Sequence, residues 1–126
     1  MKHINIKNLS NLHSDWMRGL EFYSQELKIL QERLEEIAVA NTAEEVMQGV
    51  EYFQNQILIH GSYINNLKHE ITANLHKIGV EVLEFAGFVD EQEAIDHEKL
   101  QELYETEEKM IKDLRKEFYD FVAKWL

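Results

Sequence analysis

Six histidines and a surplus of carboxylates are the residues of this 126-residue chain with the widest chemical reach. Imidazole binds transition metals and moves protons near neutral pH, and carboxylates can complete a metal site. His13, His69, Glu70, His76, Glu93 and His97 form the candidate metal-ligand set. Glu93 and His97 are four residues apart, so on a helix they share a face. The spacing of the rest is unfavourable. The Glu-x-x-His pairs of di-iron bundles are absent, and so are paired His-x-x-x-His motifs. His69 and His76 share a face but lie about 10 Å apart along a helix axis, too far for a single ion without other ligands. The chain has no cysteine, which removes disulfides, thiolate catalysis and thiolate zinc sites together. No glycine-rich phosphate loop occurs, and no pattern places a nucleophile beside a base and its orienting group. The expectation is a protein that is not an enzyme and carries no cofactor. The alternative is a metal-binding bundle built on the histidine set.

The elements that would position these groups are written in the hydrophobic spacing. Three segments repeat apolar residues at steps of three and four. The first runs Leu9, Leu12, Trp16, Leu20, Tyr23, Leu27, Leu30, Leu34, Ile37. The second runs from Val46 through Val50, Phe53, Ile57, Ile64, Leu67 and Ile71 to Ile78, with His60 and Asn74 in seam positions. The third runs His97, Leu100, Tyr104, Glu107, Ile111, Leu114, Phe118, Phe121, Trp125. A period near 3.5 residues keeps one stripe of a helix against a partner. The spacing predicts helices over about 9–40, 43–84 and 90–125, with a start for the first between Asn8 and Asp15. Asn41 suits a helix C-terminus, and Thr42 with Glu45 reads as a capping box opening the second helix. Ala86-Gly87-Phe88 reads as the second turn and Asp90 as the cap of the third helix. Gly61 and Gly79 are the weak points of the second helix. With no proline in the chain, the expected fold is all-α: one domain over 1–126, an elongated antiparallel up-down-up three-helix bundle with coiled-coil-like packing.

Folding the helices back about these turns places His13 near His69 and Glu70, and His97 near His76 and Lys77. His3 joins them, so five histidines crowd one half of the rod, with His60 near the middle. His60, Asn74 and Glu107 are polar groups at core positions, the kind that fixes register or oligomeric state at some loss of stability. The middle of the second helix is also apolar beyond its core stripe, at Leu58, Ile59 and Tyr63, with Gly61 beside them. These three are the candidate interface residues, for a homodimer or a partner helix. Phe22, Ile29, Leu103, Met110 and Val122 add further apolar surface, part of which a bundle core absorbs.

A net charge of −11 repels nucleic acid and anionic membrane surfaces, so neither is an expected partner. No stretch has the length of uncharged apolar sequence that a membrane span needs, and with no sustained apolar run after Lys2 a secretory signal is not expected. Leu20-Glu21-Phe22-Tyr23 with Glu26-Leu27-Lys28, Arg33-Leu34-Glu35-Glu36, Phe53-Gln54-Asn55-Gln56 and Leu67-Lys68-His69-Glu70-Ile71 resemble stretches of small uncharacterised all-helical bacterial proteins. The resemblance covers roughly residues 12–76 and implies a bacterial, cytoplasmic setting, but no activity to carry over. The function expected from the residues is a helical interaction module that self-associates.

Overall fold

The structure, a computed structural model, describes residues 6–84 and 91–125, with side chains at 9–77 and 95–125. The described residues form three helices, α1 (Ile6–Ala40), α2 (Glu44–Glu84) and α3 (Glu91–Trp125). Each helix packs against both others, giving the expected all-α up-down-up bundle. The stripes account for it. Leu20, Leu27, Leu30 and Leu34 of α1, Val46, Val50, Ile64 and Leu67 of α2, and Ile111, Leu114 and Phe118 of α3 are all buried. Burying one such side chain contributes roughly 1.5–3 kcal/mol, so the seam outweighs helix propensity as the source of order.

Several local expectations change. Helix α1 starts at Ile6, ahead of the expected start between Asn8 and Asp15, so Ser10, Ser14 and Asp15 lie inside it. Asp15 instead holds Arg18 one turn along. The start of α2 is served by Asn41, whose side-chain oxygen accepts from the Ala43 amide at 3.1 Å, in place of a Thr42–Glu45 capping box. Asn41 also donates its amide to the Ile37 carbonyl, so one residue closes α1 and opens α2. Glu44 and Glu45 then sit at the positive end of the α2 dipole. Helix α2 runs unbroken through Gly61 and Gly79. The expected second turn at 86–88, the Asp90 cap and His3 lie outside the described residues.

Two glycines set how closely the helices approach. A methyl group on Gly19 would collide with the Tyr104 hydroxyl, and one on Gly49 with the Phe121 ring. Gly61 faces open space. At the Gly49 end the core is aromatic: Phe53 packs edge-on to Phe118 at 5.4 Å and tilted to Phe121 at 5.3 Å.

Candidate functional sites

Among the described residues, five polar side chains are buried in the bundle: His13, His60, Asn74, His97 and Glu107. The helices sort them into two constellations.

The first lies at mid-rod between α2 and α3. His60 Nδ1 meets Glu107 Oε1 at 2.5 Å, with both side chains almost wholly buried. Both residues hold seam positions of the heptad repeat, so the core packing that buries them also brings them together. Burial pushes the Glu107 carboxyl up, while the hydrogen bond and charge of His60 pull it back. Among the described residues no hydroxyl or thiol hydrogen-bonds either partner. Simple fold-back about Gly87 sets His60 opposite Leu114. It meets Glu107, one heptad earlier, because a seam repeats every seven residues and the same stripe permits several registers.

The second constellation joins all three helices. His13 is buried, whereas Leu12, the expected seam residue, is 37% exposed. Both positions keep the three-and-four rhythm between Leu9 and Trp16, so rhythm does not choose between them. Tertiary partners do. His13 Nδ1 donates to the Leu9 carbonyl at 2.6 Å, and its Nε2 lies 2.9 Å from Asn74 Oδ1. Leu9 offers only an acceptor, so Nδ1 carries a proton. The Asn74 carboxamide can accept from a cationic His13 as placed, or donate to a neutral one after a half-turn. His97 of α3 stacks on Trp16 with ring centres 4.9 Å apart and sits 5.2 Å from the His13 ring. Its Nδ1 is buried without a hydrogen-bond partner. Its pKa is lowered, first by burial and then by neighbouring His13, with Glu98 opposing.

The candidate metal set is not assembled among the described residues. His13 and His97 come together, but His69, Glu70 and His76 point to the surface. The expected neighbours of His13 were His69 and Glu70; about a turn further along α2, Asn74 takes that place. The Glu93 side chain lies outside the described residues. No group of three or more histidine, aspartate or glutamate side chains is placed to hold an ion among those described.

A further cluster had no signal in the spacing. Glu108 lies between Tyr23 of α1 and Tyr104 of α3. Burial alone would raise its carboxyl, but hydrogen bonds from Lys112, Tyr104 and Tyr23 outweigh it and its pKa is lowered. Burial first, then Glu108, pushes the Tyr23 phenol up to about 12, and Tyr104 moves in the same direction for the same causes. A tyrosine in an apolar stripe reads as core; its hydroxyl acquires meaning only when α1 and α3 are side by side.

The expected interface residues divide. Leu58 and Ile59 are 71% and 59% exposed, while Tyr63 is half-buried against the core. Of the remaining surplus apolar residues, Val122 packs on the core, and Phe22, Ile29, Leu103 and Met110 are exposed. A groove of about 590 Å³ between α1 and α3 includes Ile29, Arg33, Ile37 and Val122 and is remote from both polar constellations. No described helix is long and apolar enough to cross a membrane. Compared with known proteins, the chain matches no family model, no curated protein and no solved structure.

Proposed function

We propose that the protein is a non-enzymatic helical interaction module that self-associates through the outer face of α2. The observation that carries this reading is the exposure of Leu58 and Ile59. They stand side by side at the middle of the longest helix, while their neighbour Ile57 is buried. Single exposed aliphatic residues are ordinary on protein surfaces; here two stand in succession, and Ile59 lies one turn from half-buried Tyr63 on the same face. The non-enzymatic part rests on the two polar constellations, whose groups are turned inward and, His97 Nδ1 apart, bound to one another or to the backbone. The setting that goes with this reading is a bacterial cytoplasm, where a cysteine-free chain of charge −11 stays dispersed except where it pairs by design.

Sedimentation equilibrium from low to high micromolar concentration tests the reading. The expected result is a reversible dimer, converted to monomer by Leu58→Asp with Ile59→Asp at unchanged helicity by circular dichroism. A strict monomer at high micromolar concentration defeats it.

A further inference from the structure

The outer face of α2 carries a second feature beside its apolar pair. From Tyr52 to Leu67 there is no aspartate, glutamate, lysine or arginine. This is the longest charge-free stretch of the chain, and 29% of the residues of the whole chain are charged. It spans about 24 Å of helix at ~1.5 Å per residue. Its exposed residues are Tyr52, Gln54, Asn55, Leu58, Ile59, Ser62, Asn65 and Asn66, so α2 presents only uncharged side chains to solvent over this stretch.

Along α2 itself a charged partner finds nothing to complement; Lys28 and Glu32 of α1, beside Gly61 and Asn65, and Glu117 of α3, on Tyr52, only flank it. A second copy of this chain does find a complement. Two molecules of charge −11 repel, and the encounter costs least where neither presents a charge. The order of side chains along the window then selects a direction. Amides lie at both ends (Asn55 and Asn65), with aliphatic Leu58 and small Ser62 between them, so reversing one copy against the other sets amide against amide and large against small.

We infer that two copies pair by antiparallel contact of α2 with α2 about a two-fold axis near Ile59 to Gly61; the inference rests on the self-association proposed above. In this register Leu58 of each copy faces Ser62 of the other, a large side chain against a small one. Asn55 faces Asn65, amide to amide. Ile59 meets its own copy beside the axis. On the opposite flank Gly61 meets its own copy, and the open space beyond its α-carbon lets the backbones come close. Just outside the window, Glu51 of one chain faces His69 of the other, and both are exposed. A parallel pairing would instead set Glu51 against Glu51 and His69 against His69. A two-fold contact of this kind is isologous and closed, so it stops at two chains.

The absence of native cysteine makes the geometry directly testable. Asn55→Cys and Asn65→Cys are prepared as separate single variants, one of them carrying a mass tag, mixed in equal amounts and oxidised mildly. The antiparallel register brings the two different positions together and holds identical positions about 15 Å apart along the axis (~1.5 Å per residue), beyond disulfide reach. The expected result is that the 55–65 disulfide predominates over 55–55 and 65–65. Predominance of the identical pairs overturns the inference in favour of parallel pairing. Absence of all three disulfides while sedimentation still reports a dimer also overturns it, and leaves self-association standing through another face. A strict monomer in sedimentation defeats both.

Discussion

His60–Glu107 and His13–Asn74–His97 are buried to a similar depth in the same kind of seam, yet they solve the burial problem differently. The mid-rod pair matches a base with an acid, so each supplies what the other needs. The end cluster matches a histidine with a neutral amide and a backbone carbonyl, then sets a second histidine beside it with one nitrogen unpartnered. A paired buried group fails when its partner is removed; an unpartnered one fails when it gains a charge. The first constellation is therefore sensitive to mutation and the second to acid.

The largest expected effect comes from splitting the pair. Glu107→Ala leaves His60 buried alone and is expected to destabilise the fold by about 3–5 kcal/mol in urea denaturation. Glu107→Gln keeps a hydrogen-bonding oxygen and loses less. Replacing both residues with leucine is expected to cost far less than Glu107→Ala alone, because no stranded polar group remains. A double replacement as damaging as the single one would mean that the pair contributes more than mutual satisfaction.

Next comes Asn74→Leu, which strands the Nε2 of His13. We expect a loss of about 1–3 kcal/mol, the usual cost of an unmet buried hydrogen bond. Asn74→Gln, with the same amide on a longer stem, separates loss of the bond from loss of fit. An Asn74→Leu variant as stable as the parent would remove the amide from any role at His13.

His97→Phe tests the unpartnered nitrogen. Phenylalanine keeps the stack on Trp16 and removes the unmet Nδ1, so stability at pH 8 should change by less than about 1 kcal/mol, in either direction. A loss beyond that would mean the imidazole makes an interaction that the stack does not explain.

The smallest effect, and the one most specific to the end cluster, is acid lability. A folded pKa below the unfolded value means the unfolded chain binds the proton more readily. Stability is then complete above the ordinary histidine value near 6.5 and falls as pH drops below it. Besides His13, the charged groups nearest His97 in sequence on its own helix are Asp96, Glu98 and Lys99. Trp16 reports the event, since it stacks on His97, and Trp125→Phe removes the other tryptophan signal. Trp16 emission should shift below pH 6.5 in that background and hold steady once His97→Phe is added. An unchanged shift in the combined variant would assign the titration elsewhere.

The three helices, their seams and the polar character of positions 60, 74 and 107 were legible in the sequence, because a stripe of period 3.5 is a local property of each segment. His13 was legible as a histidine but not as a core residue: Leu12 fits the same rhythm and is the more apolar choice. Pairing was less legible still. The seam prescribes what faces inward, but heptads repeat, so shifts of a turn or a heptad keep every apolar residue buried. His60 with Glu107 and His13 with Asn74 became visible only once those shifts were settled. Asn41 and Thr42 show the same limit at shorter range, since both can cap a helix and the turn's own geometry chose Asn41.

The sequence by itself determined the helical period, the charge-free window from Tyr52 to Leu67 and the absence of cysteine chemistry, all properties of residue order alone. The tertiary structure decided the register between helices. With it came which acid meets which base, which histidine is left without a partner, and which of two adjacent residues is core. Those outcomes depend on side chains far apart in the chain competing for the same buried space, and a one-dimensional pattern does not rank such competitors.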